Sequence, residues 1–237
     1  MNAEPPGHSA GLVQVIVLLV DRESPAPEPD GIAAVALASV MARARDLSNP
    51  AWERWLSGPV GKSVRRADAK NYAKTAAAHP EAVEATPGRG WAMALPPLPM
   101  DALPRTLARL QVSGTRLPAG PEDPVTGDRP RIVLNRDLGM STGKAAAQAA
   151  HALFAWVMEL GPERSVEWFR AGPQVCVGWQ GEVELLAGAA AVGAGPLIHD
   201  AGHTEIAPGS VTALVVAPVP AGTPRRRRWW QLTGRKR

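Results

Sequence analysis

One cysteine in 237 residues excludes an intramolecular disulfide framework, and Cys176 lies inside the apolar run QVCVGW, where a strand core is its simplest home. That usage fits a reducing compartment. No charged start leads into an apolar segment before the first strand, so the expectation is a cytosolic protein. Long apolar runs are missing as well. The longest weakly polar stretch, LLAGAAAVGAGPLI, is short for a membrane span and is broken by Gly and Pro. Acids are absent from the last thirteen residues, Arg225 to Arg237, which hold six Arg and one Lys. Against a formal net charge of +4, this leaves the rest of the chain net negative, so the basic character belongs to the tail.

Several catalytic signatures are lacking too. GMSTGK resembles a phosphate-binding loop only superficially: Gly139 to Gly143 is one residue too short for the Walker pattern, and Ala145 stands where a Mg²⁺-binding Ser or Thr belongs. His199 and His203 are four apart, but the intervening DAG is a poor helix and no third or fourth ligand recurs at suitable spacing, so no metal site is expected. No Ser elbow or Cys/His arrangement occurs.

What is present is an apolar fraction of 45%, enough to build a real core, arranged as alternating strand and helix signals. VQVIVLLV (Val13 to Val20) reads as a strand buried on both faces. Gly31 to Ala44 and Pro50 to Ser57 read as helices, WAMAL as a strand and Asp101 to Leu110 as a helix. The second half reads as the strand RIVLN (Arg131 to Asn135), helices from Lys144 to Leu160 and Glu163 to Arg170, the strand QVCVGW, a helix from Glu182 to Val192 and a last strand VTALVVAP. The expected fold is α/β, a small mixed sheet flanked by helices, in two related lobes.

The relation between lobes rests on matched stretches. GIAAVALASVMARAR from Gly31 aligns with GKAAAQAAHALFAWV from Gly143, and ERWLSGPV with EWFRAGPQ. The AG pair at Ala119 and Gly120 echoes Ala201 and Gly202, which sets Asp200 against Pro118. On this alignment residues 1–125 form a degenerate lobe with a basic, Ala-rich insert at about 60–90, residues 130–220 a second lobe, and residues 221–237 a basic Trp-containing tail. Lys144, Gln148, His151 and Asp200 fall opposite Ile32, Ala36, Ser39 and Pro118, so the polar groups are confined to the second lobe.

Those groups converge. At about 100° per residue, Lys144, Gln148 and His151 share one face of their helix, whose other faces carry core residues such as Leu153 and Phe154. A cation in the first turn opposes the helix dipole unless an anion is brought to it. The loop DAGHTEIAPGS, Asp200 to Ser210, offers Asp200, Thr204 and Glu205 between glycines. Such a set suits water-mediated ester cleavage without a metal.

STGKAAAQAAHA followed by DAGHTEIAPGS and a final apolar strand resembles the type 2 peptidyl-tRNA hydrolase family over about Arg131 to Pro218. The resemblance implies a small mixed sheet, no cofactor, peptidyl-tRNA as substrate and frequent homodimerisation. It assigns Lys144, Gln148, Asp200 and Thr204 to catalysis, and His151, His203, Glu205 and Ser210 to substrate binding. The family usually carries Lys at the positions of Gly139 and Thr142, Ser at Ala150, Arg at His203 and Gln at Glu205, so cations are lost and an anion is gained at the mouth of an RNA site. The tail RRRRWWQLTGRKR can replace them as a grip on tRNA or the ribosome, with Trp229 or Trp230 stacking on bases. If the first lobe stands in for a second subunit, the chain is a monomeric pseudo-dimer; otherwise a homodimer is expected. The alternative function is a catalytically weak or inactive pseudo-hydrolase acting as an RNA-binding or protein-interaction module, and hydrolysis of another acyl ester or amide is a third.

Overall fold

A computed structural model of the chain describes residues 11–122, 129–190, 193–202 and 205–216. The first half runs β1 (Leu12–Leu19), α1 (Glu28–Arg45), α2 (Pro50–Leu56), β2 (Gly61–Ala67), α3 (Ala69–Ala78), β3 (Val83–Ala85), β4 (Ala92–Ala94), β5 (Leu98–Pro99) and α4 (Arg105–Ala108). The second runs β6 (Arg131–Asn135), α5 (Thr142–Leu160), α6 (Pro162–Arg170), β7 (Cys176–Gln180), α7 (Glu182–Gly188), β8 (Ile198–His199) and β9 (Val211–Val216).

Two mixed sheets result, ordered β2-β1-β4-β3 and β7-β6-β9-β8. In each, the first strand of the half has a parallel neighbour across one long crossover (β1 with β2, β6 with β7) and an antiparallel one on its other side (β4, β9), followed by a short antiparallel edge. β5 adds a brief antiparallel pair at the start of β1.

The largest core cluster lies between the sheets, where α1 and α5 run side by side in the same direction. Their first turns are joined by the Thr142 hydroxyl, which donates to Glu28 Oε1 at 2.6 Å, and near their far ends Arg43 lies over the Phe154 ring. Alanine-rich faces let the backbones approach closely. Gly31 belongs to this fit, since a Cβ there would strike the side chain of Leu117. Each helix packs on its own sheet and also on an edge strand of the other half, α1 on β7 and α5 on β2. Trp52 and Trp55 of α2 close the seam against Phe154, with ring centroids 6.2 and 5.1 Å away. The outer face of the first sheet is covered by α3 and α4 through Tyr72, Leu107 and Leu110, and that of the second by Leu185 of α7.

Four expectations are corrected. The basic stretch read as an insert is built into the first sheet as β2, with α3 and β3 following it. Its basic residues disguised a strand: Arg65 points inward, where Nη1 donates to the carbonyls of Leu107, Ala108 and Leu110 around the end of α4. The matched AG pairs are therefore not equivalent. By topology the Asp200 loop between β8 and β9 corresponds to Thr86–Trp91 between β3 and β4, whereas Gly120 packs on Pro27 before α1. The helix expected over Asp101 to Leu110 is split by Pro104, which lacks the amide N–H a continuous helix needs, into a 3₁₀ turn (Met100–Ala102) and α4. The helix from Glu182 ends at Gly188, short of the expected Val192. The tail lies outside the described residues.

Candidate active site at the first turns of α5

Helix α5 begins at a built N-terminus. Ser141 is its N-cap, with the hydroxyl accepting from the Lys144 amide at 3.3 Å. Glu205 reaches the same turn from the loop before β9. Its carboxylate accepts from the Ser141 amide at 2.9 Å and from the Ser141 hydroxyl at 2.6 Å. Two turns of helix then present Lys144, Gln148 and His151 on one face.

Asp200 meets two of them. Lys144 Nζ donates to Asp200 Oδ1 in an ion pair, and Gln148 Nε2 donates to the same oxygen at 2.9 Å. The second carboxylate oxygen accepts from the Gly202 amide at 2.9 Å. Gly202 adopts φ +79° and packs its backbone against Pro208, a turn that a side chain would block. The loop is clipped shut by backbone bonds from Asp200 N–H to the Ser210 carbonyl (2.9 Å) and from Gly209 N–H to the Asp200 carbonyl (2.8 Å). Ser210 thus enters the site through its main chain.

Burial pushes the Asp200 carboxyl up, but the hydrogen bonds from Lys144, Gly202 and Gln148 and the Lys144 charge outweigh it and leave it below the ordinary carboxylate value. The anion expected to offset Lys144 against the helix dipole is this carboxylate. Gln148 is fixed at its other end too: the Thr212 hydroxyl on β9 lies 2.8 Å from Gln148 Oε1 and 3.1 Å from the Ile198 carbonyl. With one proton to give, Thr212 favours the nearer oxygen, which orients the amide with nitrogen toward Asp200.

His151 follows on the same face and is half-buried. Burial lowers its pKa to about 3, helped by the charges of Lys62 and Lys144 and opposed by Asp200. Thr142, at an expected lysine position, is 1% exposed and bridges the halves, donating to Glu28 and accepting from the Leu117 amide at 2.9 Å. Gly139, at the other, is exposed in the left-handed region at φ +56°. His203 and Thr204 lie outside the described residues. Among the described residues no group of three His, Cys, Asp or Glu could hold a metal ion, and no helix is long and apolar enough to cross a membrane.

Two residues of this neighbourhood escaped the sequence reading. Thr212 had a signal, as the one hydroxyl inside the apolar run VTALVV. Lys62 had none, because its strand was read as an insert.

Residues 130–223 match the family described as Peptidyl-tRNA hydrolase PTH2. A Bos taurus protein named peptidyl-tRNA hydrolase 2, mitochondrial, is 43% identical over 98 residues, 38% of this chain and 55% of the relative. Proteins named peptidyl-tRNA hydrolase from Thermococcus onnurineus and Aeropyrum pernix are 39% and 41% identical, over 38% and 40% of this chain and 82% and 86% of their own lengths. The chain thus spans about half the length of the bovine relative and most of the two shorter ones.

Proposed function

The chain belongs to the peptidyl-tRNA hydrolase PTH2 family, and on that premise we propose that it hydrolyses the ester joining a peptide to the terminal ribose of tRNA. The observation that carries this reading is the linked set Thr212–Gln148–Asp200–Lys144 at the start of α5. In the reaction the oxygen of water bonds to the ester carbonyl carbon, and the carbonyl becomes an oxyanion. Collapse of that intermediate breaks the bond to the ribose oxygen, which takes up, as it leaves, the proton that the attacking water gives up.

Asp200, with its lowered pKa, is a weak base. It serves as the acceptor that orients water and as the counter-charge that fixes Lys144. Lys144 keeps two N–H groups and Gln148 Nε2 keeps one, all able to face the oxyanion; losing one such donor typically costs about 10² to 10³ in rate. Thr204 orients Asp200, His151 meets the terminal ribose, and His203, Glu205 and Ser210 border the substrate. The scheme needs no metal.

The partner is tRNA, gripped in part by the tail from Arg225 to Arg237, and the working compartment is the cytosol. Residues 1–125 act as a degenerate copy of the domain at 130–220, a reading supported by the shared strand order and sense of the two sheets. The first half then fills the place of a second subunit, and elution as a stable dimer would count against it.

The test is peptide release from N-blocked aminoacyl-tRNA. The full chain should release peptide and Asp200→Asn should be slower by about 10² or more; no release by the wild type overturns the reading. One observation favours a non-hydrolytic RNA-binding module instead: Glu205 already occupies the first turn of α5, where a phosphate would be welcome. Tight tRNA binding without release would support that alternative.

A further inference from the structure

The segment Thr115–Leu117, which leads out of the first half, crosses the first turn of α5. The Gly143 amide donates to the Thr115 carbonyl at 3.4 Å, and the Leu117 amide donates to Thr142 Oγ1 at 2.9 Å. The approach is close, since a Cβ on Gly143 would lie 3.2 Å from that of Thr115. Thr115 and Leu117 are buried while Arg116 between them is exposed, the alternation of an extended chain laid on a surface. Arg116 is thus held through both chain neighbours against Thr142 and Gly143, the two residues that precede Lys144. Across the seam, the loop Thr86–Trp91 is folded onto the first turn of α1. The Arg89 amide donates to Asp30 Oδ2 at 2.8 Å, a Cβ on Gly90 would strike the Asp30 carbonyl, and the Leu19 amide donates to the Trp91 carbonyl at 2.9 Å. On this fixed backbone Arg89 is exposed, with Nη2 donating to Ser24 Oγ at 3.1 Å, and Trp91 is 45% exposed. Because Thr142 and Glu28 join the two first turns, this loop, Arg116 and the Lys144–Asp200 pair all lie at one end of the paired helices.

We propose that this end of the molecule is one RNA-binding surface, to which the N-terminal half supplies Arg116 and Arg89 for backbone phosphates and Trp91 as a stacking face for an unpaired base. The inference rests on the hydrolase reading of the site for the position of the ester beside it. The arrangement of charge favours an anionic partner. Four carboxylates stand at the two first turns, and the protein itself occupies each of them: Glu28 accepts from the Thr142 hydroxyl, Asp30 from the Arg89 amide, Asp200 from Lys144 and Gln148, and Glu205 from Ser141. Among the described residues, neither Arg89 nor Arg116 is paired with a carboxylate.

The residue types suit that partner. A guanidinium presents its N–H donors in a planar fork that matches two oxygens of a phosphate, and it stays charged at any working pH. An exposed indole accepts any base face without reading its sequence. Both kinds of group stand here on backbone already fixed by hydrogen bonds, so little ordering is left to be done when the nucleic acid arrives. Arg116, beside the first turn of α5, meets the phosphate next to the terminal ribose, and Arg89 and Trp91 meet nucleotides further from the ester. The half without the Lys144–Asp200 pair thus does the holding while the other half holds the reacting bond.

The experiment is filter binding of tRNA to the full-length protein across a salt series, beside kcat and KM for peptide release from N-blocked aminoacyl-tRNA. Arg116→Gln and Arg89→Gln should each reduce the slope of log affinity against log salt by about 0.7 to 0.9, and raise KM severalfold with kcat little changed. Trp91→Ala should weaken binding about tenfold without altering the slope, and Trp91→Phe should recover most of the loss. Arg164→Gln removes an exposed cation from α6, beyond the far end of α5, and should leave slope and KM as in the wild type. A slope for Arg116→Gln or Arg89→Gln that superimposes on the wild type overturns the proposal. An equal loss in Arg164→Gln also overturns it, because the effect would then be one of net charge alone. If the slopes fall as expected but the wild type releases no peptide, the hydrolase reading falls and the surface stands. If the wild type releases peptide, Asp200→Asn does not, and the two arginine variants match the wild type in slope and KM, the surface alone is refuted.

Discussion

Glu205 and Ser141 form a two-point contact, with the carboxylate accepting both the amide and the hydroxyl of the residue that caps α5. A carboxylate at a helix N-terminus is favourable, and this one competes with any substrate anion for the same positive end. Glu205 thus ties the Asp200 loop to α5 and sets a negative charge at the positive end of that helix.

Replacing Glu205 by Gln removes the charge and keeps an amide oxygen for the Ser141 N–H. Affinity for tRNA should rise severalfold at low salt, and the gain should close as ionic strength increases. Filter binding across a salt series reads this; equal affinities throughout would mean that Glu205 stands clear of the nucleic acid.

The ion pair of Lys144 and Asp200 sets an acid limit. Because the Asp200 carboxyl is held below its ordinary value of 3.8, its stabilising contribution is fully present above that value and is lost as pH falls through the lower, folded-state value. Urea midpoints of wild type and Asp200→Asn should therefore differ by a constant amount at neutral and mildly acidic pH, with the wild type the more stable. The gap should narrow only below 3.8; narrowing that starts near neutrality would show that the pair is not intact in solution.

Thr212 fixes which end of the Gln148 amide faces Asp200. Thr212→Val should lower kcat about ten- to a hundredfold through misorientation of that amide, and Thr212→Ser should recover most of the loss. Steady-state kinetics on the peptide-release substrate would show it. A Val variant with wild-type kcat would remove Gln148 from the oxyanion's surroundings.

Thr142 joins the halves through one hydroxyl that both gives and accepts. Thr142→Val leaves the Leu117 amide and the Glu28 carboxylate without this partner in the seam, at a cost of about 1 to 3 kcal/mol. Chemical denaturation measures it, and a loss below about 0.5 kcal/mol would assign the bridge no part in holding the seam.

The site was more legible in the sequence than the half that supports it. Helical spacing alone put Lys144, Gln148 and His151 on one face, and the dipole argument asked for an anion that Asp200 supplies. These signals are local, which is why they survive in one dimension. The first sheet was misread because β2 carries Lys62, Arg65 and Arg66, and a strand whose inward cations are satisfied by carbonyls, hydroxyls and aromatic faces does not look apolar. The Ala119–Gly120 echo misled for a related reason, since short Gly-containing turns recur wherever chains bend closely and do not by themselves mark equivalent positions. The roles of His203, Thr204 and the Trp-bearing tail rest on sequence alone.

The reciprocal packing of α1 on β7 and α5 on β2 bears on how the molecule comes apart. Neither half owns the apolar layer that it needs, because the central cluster draws Ile16 and Leu18 from one sheet and Ile132 and Leu134 from the other. Unfolding should then be a single cooperative event, with coincident transitions when each half is followed by its own probe. The stretch that carries the family likeness, cut free at residue 130, would bare the side of α5 that packs on α1 and β2.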